Sequence, residues 1–267
     1  MIKIIYTFVS LLILKPFFMA KQKGPLKIQG TIDDLTFLRT QEGFRVRLKG
    51  GVSKDRILND PVFERTRENM TEFAHCANTG KLLRRAASEL VKYARDKHMS
   101  SRLTGVLAKI KNYDTTSPRG ERKVSIGIAQ PEAIELLKGF EFNKKSSLSL
   151  ILQTSKSLDP LTGEVTIPNF IPKNHLLAPT FASHVSLSAA FMKFDFETGE
   201  YELSKSNVEN LPIDMTETNV TLTPASVPAG TGVALYFLLI EFSQIISNQQ
   251  YPLKGGSFNA LSILEAV

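Results

Sequence analysis

The chain has 267 residues, is 42% hydrophobic and 22% charged, and carries a formal charge of +7, which excludes intrinsic disorder and suits one large or two ordinary domains. The charge is uneven: residues 21–123 hold 23 Lys and Arg against 12 Asp and Glu, a net +11, while residues 124–267 hold 8 Lys against 14 acids, a net −6. Every arginine lies between Arg39 and Arg122, and the lone Cys76 excludes an intramolecular disulfide and a cysteine-based zinc site.

Ile2 to Phe18 is apolar apart from Lys3 and Lys15, with the charged start and apolar centre of a secretory signal. Phe17, Phe18 and Met19 stand where small residues should precede a cut, and Lys15-Pro16 ends the run too early for a membrane span. Met19-Ala20-Lys21-Gln22-Lys23 fits a translation start equally well. Residues 1–18 are therefore a signal-like or mis-annotated extension. Export follows from the first reading and a cytoplasmic location from the second, with membrane contact only if the segment is retained.

Leu26, Ile28, Ile32, Leu35, Phe37, Phe44, Val46 and Leu48 alternate with polar residues and predict two or three short antiparallel strands broken at Gly30 and Glu42-Gly43. Arg39, Arg45, Arg47 and Lys49 are expected on the opposite, cationic face. Gly50-Gly51-Val52-Ser53-Lys54 lacks the spacing of a phosphate loop.

Asp60 before Pro61 starts a helix. Its expected apolar stripe is Phe63, Met70, Phe73, Ala74 and Ala77, with Glu64, Glu68 and Glu72 on a solvated, ion-paired flank and a break at Thr79-Gly80. The next helix sets Leu82, Leu83, Ala86, Ala87, Leu90, Val91 and Ala94 against Lys81, Arg84, Arg85, Lys92 and Arg95. A third, Ser100 to Lys111, buries Leu103, Val106, Leu107 and Ile110. Two consecutive basic helices fit a helix-turn-helix reader, with Ser100, Ser101 and Arg102 at the start of the second. Cys76 reads as a core thiol and His75 as a surface imidazole.

Ser117-Pro118-Arg119-Gly120 is a turn and the expected domain boundary. Strands are expected at Val124-Ile126-Ile128 and Leu148-Leu150-Leu152, a short helix from Pro131 to Leu137, and then β-structure to the end, with Val233 to Ile240 as a central buried strand. The expected fold is α+β: a basic β-ribbon and helical domain (19–120) followed by a mainly antiparallel β-sandwich (121–267).

No nucleophile elbow, phosphate loop or HExxH pair is present, so no catalytic residue, cofactor or small-molecule substrate is assigned. Asp195, Glu197, Glu200 and Glu202 alternate with Phe194, Phe196 and Tyr201, which reads as the wet face of a half-buried sheet rather than a metal site. The absence of tryptophan removes the usual sugar-stacking surface.

The segments Met19 to Gly24, Gly30 to Phe37, Lys49 to Lys54, Phe63 to Asn69, Asp195 to Tyr201 and Tyr251 to Leu261 resemble a group of uncharacterised Bacteroidota proteins. The resemblance covers nearly the whole chain from Met19 and favours Met19 as the start, but it implies no site. Three functional expectations follow. The first is a non-catalytic, homo-oligomeric assembly protein joined through its charge-segregated halves and strand edges. The second is a nucleic-acid binder, and the third an exported surface or adhesion protein. Self- or polyanion contact is expected at Arg39, Arg45, Arg47, Lys49, Arg84, Arg85 and Arg95.

Overall fold

The structure, a computed structural model, describes residues 20–247, 249–253 and 256–267. The signal-like segment lies outside them. The chain divides into two compact units, Met1–Phe63 and Glu64–Val267.

In the first unit, β1 (Ala20–Lys21), β2 (Gly30–Ile32), β3 (Leu35–Thr40) and β4 (Gly43–Leu48) form an antiparallel sheet in the order β1-β4-β3-β2, followed by α1 (Lys54–Asn59) and a 3-10 turn, Pro61–Phe63. The Glu42-Gly43 turn (Gly43 φ 110°) falls where the sequence places it, but the first turn is at Asp33 (φ 50°) rather than at Gly30, which instead opens β2. Leu35 pairs with Leu48, Phe37 with Val46 and Arg39 with Phe44. Residues directly opposite share a face. Arg39 therefore belongs to the apolar face, over the Phe44 ring at 5.8 Å, while Arg45 and Arg47, with Lys21 opposite Arg45, share the cationic one. No described residue of this unit is buried.

The second unit opens with α2 (Glu64–Ala86), α3 (Ser88–Val91), α4 (Met99–Ile110), α5 (Val124–Gly127), α6 (Pro131–Ile134) and α7 (Leu148–Ile151). Strands β5 (Ser157–Leu158) and β6 (Val165–Phe170), helix α8 (Pro172–His175), then β7 (His184–Phe194), β8 (Tyr201–Pro212), β9 (Thr218–Leu222), β10 (Val233–Ile246), β11 (Gln249–Pro252) and β12 (Ala260–Ala266) complete it. One antiparallel sheet has the order β11-β10-β7-β8 with β12 also on β10, and a smaller one the order β5-β6-β9. The fold is thus α+β.

Alternation along β10 and β7 builds two cores. Leu235, Phe237 and Leu239 with Ala190, Met192 and Phe194 meet the helices, joining Leu83, Leu103 and Leu107. Leu238, Ile240 and Phe242 with Val185, Leu187 and Ala189 meet Val165, Ile167 and Val220 of the smaller sheet. β10, flanked on both edges and covered on both faces, is the central strand that its unbroken apolar run predicts.

Because helices and sheet share a core, the expected boundary at 120/121 falls inside the second unit. Gly120 (φ 92°) still turns there. Val124 to Ile128 and Leu148 to Leu152 are helical rather than extended: Val124 with Ile128, and Leu148 with Ile151 and Leu152, are buried at spacings of three and four while Ile126 and Leu150 face out.

Helix α2 runs through Thr79-Gly80 without a break, and Gly80 faces α4, a Cβ there standing 3.2 Å from Leu107 Cδ1. The helix is also rotated from the expected orientation. Met70 and Phe73 are 53% and 62% exposed, while Glu72, Cys76, Thr79, Gly80 and Leu83 point inward. The core prefers the small-residue face because it lets two helices approach closely.

Candidate interface and the buried ion network

The sequence-selected cations of the first unit do not share one face. Arg45 pairs with Glu42, and Arg39 lies over Phe44 on the other face of the first-unit sheet. Arg47 and Lys49 are exposed, and neither has an ion-pair partner among the described residues. In the second unit Arg85 and Arg95 are exposed, and Arg84 is half-buried, its guanidinium lowered by desolvation. Arg102, placed at the start of a presumptive reading helix, is turned inward. It donates to Asp96, to the Glu141 carbonyl at 2.5 Å and to the Phe142 carbonyl at 3.3 Å, so it is unavailable to a base edge.

The net charge also divides differently from the halves. Residues 20–63 hold 9 Lys and Arg against 5 acids, a net +4, and residues 64–267 hold 22 against 21, a net +1. The basic helices and the acidic strands belong to one unit, and pairs such as Lys123–Glu197 and Lys205–Glu89 join them internally. Strand edges are partly sealed as well: the 139–142 segment hydrogen-bonds along β12, with Gly139 N to Ile263 O at 2.8 Å and Phe142 N to Leu261 O at 2.9 Å.

Beneath this surface lies a polar network that the sequence reading missed. Glu72, 2% exposed, accepts from Lys111, from Arg122 Nε at 2.8 Å and Nη2 at 2.9 Å, and from the Gly120 amide at 2.9 Å. Asp114, also buried, accepts the amides of Thr116 and Ser117 at 3.0 Å and of Lys123 at 2.9 Å. Burial alone would raise its carboxyl, but these donors hold it well below the carboxylate range. His75 Nε2 accepts the Val124 amide at 3.1 Å, and its pKa is lowered by burial and by Lys123. The imidazole is therefore neutral and fixed as an acceptor. Together these groups pin the 111–124 loop to α2. Glu72 stands at the head of the inward face of α2 with Cys76, Thr79, Gly80 and Leu83, but its cation partners lie 39 and 50 residues further along the chain.

Cys76 is buried and its thiol is raised to about 11 by desolvation, which leaves it unreactive near neutral pH. The hairpin acids are engaged in structure: Asp195 Oδ1 accepts the Glu197 and Thr198 amides at 2.7 and 3.1 Å, Glu197 meets Lys123 and Ser125, and Glu202 accepts the Ala229 amide at 2.8 Å. Among the described residues no group of three or more His, Cys, Asp or Glu is placed to hold a metal, and no helix is long and apolar enough to cross a membrane.

Comparison of the chain with protein-family models, with curated proteins and with solved structures returned no match.

Proposed function

We infer that the protein is a non-catalytic assembly component that self-associates through the apolar face of its first-unit sheet. One observation carries this reading: Ile32, Leu35 and Leu48, 55%, 40% and 68% exposed, lie on one sheet face with Phe37, Phe44 and Val46, in a unit where no described residue is buried. A sheet this small needs a second layer to be stable, and two such faces packed about 10 Å apart supply it.

Charge supports a second copy as the cover. The Asp33-Asp34 turn marks one end of β3 and Arg39 the other, so an antiparallel, two-fold pairing sets the acids of one copy against the arginine of the next. Burying three aliphatic side chains per copy is worth roughly 10 kcal/mol gross. Association costs about 4–15 kcal/mol. At the low end of that cost about 6 kcal/mol remains, a dissociation constant on the order of tens of micromolar, and salt should leave it largely unaffected because the contact is apolar.

Light scattering on the eluting full chain at about 10 and about 200 µM tests the reading. A mass rising to a dimer or beyond at the higher concentration supports it; a monomer at both removes it.

The nucleic-acid alternative rests on the exposed, unpaired Arg47 and Lys49. It requires retention of DNA or RNA that falls steeply with added salt, and salt-independent or absent retention excludes it.

A further inference from the structure

In the second unit the outer wall of α4 and the segment 136–144 line an open groove of about 480 Å³. Gly105 forms its floor: a Cβ there would meet nothing within 4 Å, so the helix presents a recess in mid-length. Val106, Leu136 and Phe140 make the sides apolar.

The rim is cationic. Arg102 is committed to Asp96 and Lys138 to Glu265 at 2.6 Å, but Lys109 and Lys144 are exposed and have no ion-pair partner among the described residues. In the wall itself, Arg102 Nε is a buried donor without a hydrogen-bond partner. Buried donors in proteins are rarely left this way. The arrangement is an apolar trough with two uncommitted ammonium groups at its edge.

We propose that this groove binds a small apolar carboxylate, its chain lying over Gly105 between Val106, Leu136 and Phe140 and its charge at the rim that Lys109 and Lys144 line. A polyphosphate or nucleic acid fits less well, because the floor and sides of the groove are apolar. A cation is opposed by four positive side chains.

The test is a titration of the full chain with octanoate followed by amide NMR shifts. Saturable shifts are expected at Gly105, Phe140 and Lys144 with a dissociation constant on the order of 1 mM, as suits a ligand this small. Acetate, which lacks the chain, and octanol, which lacks the charge, should each shift these amides at least ~10-fold less at equal concentration. Gly105→Leu fills the recess and improves helix propensity, so it keeps the fold and should abolish the shifts; Lys109→Glu with Lys144→Glu should weaken binding about 10-fold or more. Absence of saturable shifts at these amides, or undiminished shifts in Gly105→Leu, overturns the proposal.

Discussion

Arg122 makes a two-pronged ion pair with Glu72, Nε to Oε1 at 2.8 Å and Nη2 to Oε2 at 2.9 Å, across 50 residues of sequence. Lys111 takes the same carboxylate from α4's end, so one buried acid on α2 holds two cations that flank the 111–124 loop. Such a group is costly to half-remove, because its partners stay buried without a counter-charge.

Glu72→Ala should therefore lower the stability of the second unit by about 3–5 kcal/mol, read by chemical denaturation. Replacing Glu72, Lys111 and Arg122 together with methionine should recover much of that loss. Equal losses in the single and triple variants would show that packing, not charge, dominates the site.

Glu141 predicts a pH dependence. Its Oε2 is buried without a partner, and desolvation raises its pKa from 4.5 to about 7, against the Leu148 amide and the Ser262 hydroxyl that pull it down. The native state thus keeps a proton that the unfolded chain has released. Stability from this group is full below pH 4.5 and declines as pH rises through 7. Glu141→Gln should remove that decline and stabilise the protein at pH 8 by about 1–3 kcal/mol, while keeping the bond to the Leu148 amide. Asp114 acts with opposite sign: its lowered pKa gives stability present above the carboxylate range and lost as pH falls through it, so the two limbs separate on a pH–stability curve.

Two glycines should respond in opposite directions to alanine. At Gly127 a Cβ would lie 2.2 Å from the Ile110 carbonyl oxygen, so the α5 backbone must move, a cost of about 1–3 kcal/mol or more. At Gly105 the same methyl meets open space in a helix interior and should stabilise by about 0.5–1 kcal/mol. Melting temperatures of the two single variants check the pair.

Much of the fold was legible in the sequence where patterns were long. The unbroken run at Val233 and the turn at Gly43 each indicated their elements, because a strand covered on both faces and a positive-φ turn constrain residue type directly. Short runs misled: Val124-Ile126-Ile128 has the period of a strand, yet three residues also fit one helical turn, and only burial at positions 124 and 128 decides. Helix α2 misled for a different reason. Its larger apolar residues, Met70 and Phe73, signalled a core stripe, but the core took the smaller face so that Gly80 could admit Leu107. The buried role of Glu72 depended on cations 39 and 50 residues away, which local spacing does not reveal. Charge summed over halves was similarly blind to the ion pairs that join them within one unit.

The central claim, self-association through the apolar face of the first-unit sheet, is tested most directly by sedimentation equilibrium of the full chain beside Leu35→Lys with Leu48→Glu. Both positions are exposed and opposite each other in the sheet, so the change leaves local pairing intact. The wild type should sediment as a dimer or larger assembly whose mass persists at about 0.5 M salt, where the Debye length is only a few ångströms, and the double variant should sediment at the monomer mass of 29.7 kDa. A wild type that is monomeric throughout, or a double variant that assembles as the wild type does, would contradict it.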